Sequence, residues 1–210
     1  IEAGETNAFF TLAIDDSDAD AANWDYTFTV LQDPELVSIE FDFNALPSGQ
    51  NLFGTVGDPA AAIIVFGRDA DLKADGTFTN ASDTINTSQG GGPTTIGVDN
   101  QMFDPGDGAY FVYVEQPVVN FLAGAPGGLD QNEADDADNV QYTGGTLDVS
   151  SAFLVISQTQ GNALASLSLT TYLGDADQGR DRVTNADTGT SPDIIQIRVY
   201  DAAGNLIEDT

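Results

Sequence analysis

The sequence predicts an all-β fold, a β-sandwich with long loops and at most short helices. Several segments alternate apolar and polar residues at period two, others are apolar on both faces, and no stretch beyond about ten residues has a helical period. The chain also contains 22 Gly and 8 Pro, which interrupt regular elements often. Its 210 residues suit one large domain, so we expect a single module over 1–210.

The strand signals differ in kind along the chain. Weak ones come first, at 9–14 and 26–31. Segments with the alternation of half-buried strands lie at 36–43, 163–173 and 195–200. Segments that are apolar on both faces, as central strands between two layers are, lie at 61–66, 109–114 and 152–156.

The remaining segments are predicted as turns and connections. A hairpin loop at 201–205 leads into a short last strand at 206–208, and the segment 118–123 could form a short helix. The connections 67–108 and 124–145 are rich in Gly, Asp, Asn and Thr and are predicted as long loops. Loops of such length in a compact domain are usually functional or poorly ordered.

The charge of the chain is strongly negative. There are 34 acidic residues against 5 basic ones, a formal net charge of -29. Such a charge opposes binding to nucleic acid and to anionic membranes, and it destabilises a compact state unless cations or salt offset it. The acids are 27 Asp and only 7 Glu. Because Asp can fold back within a turn and share an ion with nearby carbonyls, this bias favours calcium loops over a uniformly acidic surface.

Cysteine and histidine are both absent. Their absence excludes disulfides, thiolate metal sites and the Ser–His–Asp triad. Two carboxylates can hydrolyse a glycoside without His, and Glu40 and Glu115 are the candidates, but nothing in the sequence pairs them. We therefore predict that the chain is not an enzyme. No signal peptide or membrane span is recognisable, and we expect a module cut from a longer extracellular protein.

Four Asp-rich clusters carry the oxygens that calcium prefers. The predicted ligands are Asp69, Asp71 and Asp75; then Asp99, Asn100, Asp104 and Asp107; then Asp130, Asn132, Glu133, Asp135, Asp136 and Asp138; and last Asp175, Asp177 and Asp181. The last three have the spacing D-x-D-x-G-x-D of many calcium loops. The alternatives are ordinary turn formation by Asp, a solvated loop and, in the first cluster, pairing with Lys73.

A loop-bound calcium with an open coordination position can also receive a ligand carboxylate or sugar hydroxyls. Aromatic and polar side chains beside the loops would then form the walls of a binding site. The predicted ligand-binding residues are Gln101, Phe103, Tyr110 and Tyr142.

The chain resembles the ligand-binding modules of giant RTX-type bacterial adhesins. The resemblance is carried by the Asp/Gly-rich character without Cys or His and by the segments GDADQGRD, DPGDGAYFVYVEQP and IRVYDAAGNLIEDT. Within that group it looks most like the peptide-binding type. The resemblance implies a β-sandwich with several Ca²⁺ ions, one of which coordinates the terminal carboxylate of a partner protein. The RTX nonapeptide itself is absent, since Gly90-Gly91-Gly92 is followed by Pro93.

The leading hypothesis is therefore a calcium-dependent cell-adhesion module, secreted or on a bacterial cell surface. It would bind peptide C-termini or glycans on other cells and adjoin neighbouring domains of the same adhesin. It would be a monomer without nucleic-acid binding or membrane insertion. The alternatives are a structural extender, surface-layer or capsid domain of a halophilic organism with no ligand pocket, and a glycan hydrolase or lyase.

Overall fold

The computed structural model describes residues 10–15, 25–30, 43–79, 83–88, 94–118, 128–157, 159 and 166–210. The chain divides into two compact units, Ile1–Glu40 and Phe41–Thr210. That one module spans 1–210 stays a prediction. Within the described ranges, no helix is long and apolar enough to cross a membrane.

The described part of the first unit is an antiparallel pair of strands. Strand β1 is Phe10–Asp15 and strand β2 is Asp25–Val30, with Phe10 opposite Val30 and Asp15 opposite Asp25. The two weak strand signals at 9–14 and 26–31 are thus confirmed. The strand predicted at 36–43 lies outside the described residues except for its last residue, which begins a 3₁₀ helix. The helix considered at 118–123 lies outside them beyond its first residue.

The second unit contains the remaining strands and the short helices. The strands are β3 (Gly49–Asn51), β4 (Phe53–Gly57), β5 (Ala61–Gly67), β6 (Ile85–Ser88), β7 (Thr95–Val98), β8 (Ala109–Pro117), β9 (Tyr142–Thr146), β10 (Arg198–Tyr200) and β11 (Leu206–Asp209). The helices are α1 (Gln131–Ala134), α2 (Gly179–Thr184) and the 3₁₀ helices Phe43–Ala45 and Ala137–Asn139. The all-β prediction, with short helices at most in the described part, is confirmed.

Strand β5 is the centre of the sandwich. The strand orders are β4-β5-β8-β9 in one sheet and β3-β6-β7 in the other, and every pairing is antiparallel. On one face of β5, Val65 packs with Ile85 and Val98 of the three-stranded sheet. On the opposite face, Ile64 and Phe66 pack among residues of α1, α2 and β9. Because both faces are covered, all seven residues of β5 are buried, as the run of apolar residues predicts.

The terminal hairpin follows its turn chemistry. Strands β10 and β11 form a two-stranded antiparallel sheet. In the connection, the Asp201 carboxylate accepts hydrogen bonds from the N–H groups of Ala203 and Asn205 at 2.9 and 2.8 Å. Gly204 has φ +83°, which glycine adopts without a steric cost. The predicted hairpin at 201–205 is confirmed.

Two predicted strands are wrong. The segment 152–156 and the described part of 163–173 form no strand, and Phe153, Val155 and Leu169 are exposed. An apolar run or an alternating pattern alone does not make a strand, because a strand also needs a neighbour to complete its hydrogen-bond ladder. Within the described residues, the backbone of 166–173 donates one such bond, from Leu173 N–H to the Thr190 carbonyl at 2.7 Å. Of the predicted segment 195–200, the last three residues form β10.

The two predicted long loops are also more structured than expected. The connection 67–108 contains β6 and β7, and the connection 124–145 contains α1, a 3₁₀ helix and the start of β9. The sequence signal was weak there because these elements have three to five residues each, too few to show a period.

Candidate functional site

Two clusters of acidic side chains form where loops distant in sequence meet. The first lies where β5 ends, and we name it the Gly67 cluster: Arg68, Asp69, Asp83 and Asp107. The carbonyl of Asp83 lies close to Gly67. A Cβ on residue 67 would stand 1.1 Å from the oxygen of this carbonyl, so only glycine fits at that position. The Asp69 N–H donates to Asp83 Oδ2 at 3.2 Å.

The electrostatics of the Gly67 cluster are unbalanced towards negative charge. Burial raises the pKa of Asp83, and the charges of Asp69 and Asp107 add to that effect. Arg68 offsets part of it: its guanidinium donates to the Gly106 carbonyl at 2.6 Å and pairs with Asp69 at 3.4 Å. Three carboxylates therefore influence one another beside one arginine, an arrangement that a cation would stabilise.

The predicted ligands of the loop 99–107 are occupied with one another. Asn100 Nδ2 donates to Asp104 Oδ2 at 2.7 Å, and the Asp104 N–H donates to Asp107 Oδ2 at 2.7 Å. Asp99 has φ +60°, and its carbonyl accepts from the Gln50 side chain. The loop thus uses Asp and Asn to form turns, which is the alternative that the sequence left open.

The second cluster brings together three of the four predicted metal loops, and we name it the Gly76 cluster: Gly76, Asp136, Asp138 and Arg180. A Cβ on Gly76 would stand 3.2 Å from Asp136 Oδ1, 3.4 Å from Asp138 Oδ2 and 3.0 Å from an Arg180 Nη atom. The loops are held by the Ala137 N–H, which donates to the Gly76 carbonyl at 2.9 Å, and by packing of α2 on the 3₁₀ helix Ala137–Asn139.

The other acids of the first predicted cluster have local roles. Asp75 accepts from the Thr77 hydroxyl at 2.7 Å, and this bond lowers the pKa of Asp75. The Asp71 carbonyl accepts from the Thr79 N–H at 3.0 Å. Asp69, from the same segment, belongs to the Gly67 cluster instead. The segment 69–75 therefore contributes to two different places.

In the loop 175–181, a buried arginine uses the oxygens that were predicted for a metal. Arg182 donates through Nη2 to the Asp175 carbonyl at 2.6 Å and to Asp175 Oδ1 at 2.9 Å, and through Nε to the Asp177 carbonyl at 3.1 Å. Arg182 is 2% exposed. Its guanidinium serves these oxygens as an internal cation.

The segment 130–135 begins with a capped helix. Asp130 Oδ1 accepts from the N–H groups of Asn132 and Glu133 at 2.8 and 3.1 Å, while Glu133 Oε2 accepts from the Asp130 N–H at 2.8 Å. This reciprocal bonding is a capping box. At the other end, Asp135 Oδ1 is shielded from solvent and has no hydrogen-bond donor among the described residues. Burial raises the pKa of Asp135.

Three of the four predicted ligand-binding residues are accessible to a partner. Gln101 and Phe103 are exposed in the loop before β8, and Tyr110 is half-buried with its ring tilted on Phe66 at 5.4 Å between centroids. The fourth prediction is corrected: Tyr142 is 2% exposed and donates to the Asp177 carbonyl at 2.6 Å, so it belongs to the core. The register that turns it inward depends on pairing with β8, which no local pattern shows.

Of the two carboxylates considered for catalysis, the structure describes Glu115 alone. Glu115 is exposed on β8, opposite Gly145 of β9, and Glu40 lies outside the described residues.

Sequence reasoning missed Arg68, Asp83, Arg180 and Arg182. A signal was present for three of them, because four of the five basic residues of the chain, Lys73 included, lie inside or beside the Asp-rich segments. Asp83 gave no signal, since it is a single acid before a short strand.

Within the described residues, no three Asp or Glu side chains are arranged as a ready metal-binding group. An open groove of about 240 Å³ is lined by 169–171 and 191–194, and none of the predicted ligand-binding residues is among its lining residues. Comparison with known proteins found no match among protein-family models, curated proteins or solved structures.

Proposed function

We propose that the chain is a calcium-dependent adhesion module of an extracellular protein, which binds a peptide C-terminus or a glycan through its loops. The observation that carries the proposal is the Gly76 cluster. Loops separated by about sixty and about forty residues in the chain converge there. Two carboxylate oxygens lie 3.2 and 3.4 Å, and an Arg180 Nη atom lies 3.0 Å, from the position that a Cβ on Gly76 would take. Calcium selects such oxygens, and glycine gives the space for an ion to approach the backbone.

The net charge supports the same proposal. Three of the five basic residues are already paired, as Arg68 with Asp69, Arg182 with Asp175 and Arg198 with Asp209. The remaining carboxylates of a chain with net charge -29 repel one another in the folded state. Bound divalent cations would relieve this repulsion where the carboxylates are closest, and would stabilise the fold by mass action.

The proposed ligand surface lies beside the Gly67 cluster. Tyr110 is on β8, which begins at this end of the sandwich, and the charges of Asp187 and Asp69 influence its hydroxyl. Burial is the main reason why the pKa of Tyr110 is raised. Phe103 is 44% exposed in the preceding loop. An accessible aromatic ring next to a calcium-filled acidic cluster would contact the side chains or sugar ring of a ligand whose carboxylate or hydroxyls reach the ion.

The proposal is tested by ligand binding in the presence and absence of calcium. Libraries of peptides with free C-termini and glycan arrays would be screened with millimolar Ca²⁺, then with excess chelator. We expect binding with Ca²⁺ that chelator abolishes and renewed Ca²⁺ restores, while peptides with an amidated C-terminus fail to bind. Binding that is indifferent to chelator would refute the proposal.

A structural domain of a high-salt organism is the second candidate. The loop 99–107 favours it, because its acids and amide hydrogen-bond with one another in turns. Under this function, molar sodium chloride would stabilise the fold as well as millimolar calcium does, and the peptide and glycan screens would give no ligand.

A further inference from the structure

One stretch of this acidic chain has no charged residue. Residues 149–174 contain no Asp, Glu, Lys or Arg, and no other uncharged stretch of the chain is as long. Within it lies 152–156, Ala-Phe-Leu-Val-Ile, which is apolar at every position. A second copy of the chain also has a net charge of -29, so two copies repel each other. Residues 149–174 are the part of the chain where close contact between copies brings no like charges together.

The structure leaves the segment 152–156 uncovered. Phe153 is 83% exposed and Val155 is 84% exposed. Leu154 and Ile156, whose side chains would point to the opposite face of a strand, are 59% and 51% exposed. None of these residues has a backbone hydrogen bond to another described residue. The segment therefore has the composition of a central strand, but the described part of one copy provides neither a packed layer nor a neighbouring strand.

The chemistry of this segment favours a second copy over a basic partner. A basic partner would be attracted to the carboxylates elsewhere on the chain, because charged surfaces select complementary charge. The segment 152–156 instead fits a surface that is itself uncharged and apolar, and a second copy has an identical one. Antiparallel pairing about a two-fold axis joins such a segment to itself. With Leu154 on the axis, Phe153 of each copy lies opposite Val155 of the other, and an aromatic residue opposite a β-branched one stabilises paired strands.

We propose that 152–156 is the interface of a homodimer, in which two copies join this segment as antiparallel strands. The pairing provides the hydrogen-bonding neighbour that the segment lacks in one copy, and it replaces the monomer expected from the net charge. A single five-residue pairing is smaller than a standard interface of about 800 Å² per partner, so we expect reversible association. The interface contains no acidic cluster and does not depend on the adhesion function. If that function holds, the dimer presents two ligand sites and gains avidity.

Sedimentation equilibrium of the full chain tests the dimer first. The protein is measured from micromolar to millimolar concentration, at a fixed millimolar calcium concentration and at several sodium chloride concentrations. We expect a monomer–dimer equilibrium that shifts towards the dimer as salt increases, because salt screens the repulsion between two copies with a net charge of -29 each. A monomer at every concentration, or association that weakens with salt, would overturn the proposal. Growth into assemblies larger than a dimer would contradict the two-fold pairing.

Val155→Asp distinguishes an interface between copies from a surface that the same copy covers. The substitution puts a charge into the paired segment, so we expect at least tenfold weaker dimerisation. Because Val155 is 84% exposed in one copy, the thermal unfolding midpoint of the monomer should stay that of the wild type. Phe103→Asp is the matched control: it adds one charge at an exposed apolar residue outside the uncharged stretch and should leave dimerisation unchanged. A lower unfolding midpoint for Val155→Asp with unchanged association would overturn the proposal.

A cross-linking experiment tests the pairing itself. The chain contains no cysteine, so Leu154→Cys introduces a single thiol on the proposed two-fold axis. Residues directly opposite each other in antiparallel strands have Cα atoms about 4.5–5.5 Å apart, which is within the range of a disulfide. Under mild oxidation we expect a covalent dimer of Leu154→Cys on a non-reducing gel, formed much faster than that of the exposed control Phe103→Cys. Equal rates of dimer formation for the two variants would refute the antiparallel pairing.

Discussion

Replacing Arg182 by methionine tests whether the loop 175–181 depends on an internal cation. The guanidinium is buried and bonds the Asp175 carboxylate and the carbonyls of Asp175 and Asp177. Methionine keeps much of the side-chain volume but removes all of these donors. Removal of one partner of a buried ion pair costs about 3–5 kcal/mol. The Asp175 side chain is 40% exposed, so water can take over part of its solvation, and we expect the lower end, about 3 kcal/mol.

The assay is urea unfolding followed by far-ultraviolet circular dichroism, with chelator and separately with calcium. For a slope of about 2 kcal/mol per molar urea, the midpoint should fall by about 1.5 M. Arg198→Met is the matched control, because Arg198 and Asp209 form an exposed pair at 3.4 Å that should contribute about 0–1 kcal/mol. A loss for Arg182→Met that is no larger than the control's would refute the internal-cation account.

Three further predictions concern the cap of helix α1, the loss of stability at low pH and the core. Asp130→Ala should cost about 1 kcal/mol in urea unfolding, whereas Asp130→Asn should keep the cap; equal losses would indicate a role for the charge. The Asp177 N–H and the Arg182 charge lower the pKa of Asp175, so its contribution is present above about pH 4 and is lost as the pH falls through the lowered value. As the pH falls, the free energy of unfolding of Asp175→Asn should therefore decrease less than that of the wild type. An equal decrease would contradict this prediction. Ile64→Ala should cost about 2–5 kcal/mol in the same assay, because Ile64 is 1% exposed, and a cost under about 1 kcal/mol would contradict its place in the core.

The central strands could be predicted because their signal is local. An apolar run bounded by turns identifies β5 and the start of β8, since a strand covered on both faces needs apolar residues at every position. The hairpin at 201–205 could be predicted for a similar reason, because Asp and Gly have specific tasks in a tight turn.

The sequence shows which loops are rich in Asp, but it does not show which of these loops meet in the fold. The convergence of Gly76, Asp136 and Arg180 depends on tertiary packing over more than a hundred residues, and no spacing motif records it. Likewise, the sequence motif D-x-D-x-G-x-D is the same whether its oxygens bind a metal ion or accept hydrogen bonds from an arginine. Only the fold shows that Arg182 turns back into the loop.

The wrong strand predictions have a different cause. The apolar run at 152–156 shows which residues favour burial, but it contains no information about a hydrogen-bonding neighbour. The burial of Tyr142 could not be predicted for the same reason, because the register with β8 decides which side of β9 faces the core.

Thermal unfolding with excess chelator, then with millimolar calcium, magnesium or matched sodium chloride, tests calcium dependence most directly. Calcium at about 100 times its dissociation constant should contribute about 2.7 kcal/mol per independent site. For a chain of this size that corresponds to a rise in the unfolding midpoint of about 8 °C per site. We expect this rise with calcium and no comparable rise with sodium chloride of equal ionic strength. An equal rise with sodium chloride, or none with calcium, would contradict the account and make the acids a solvated surface.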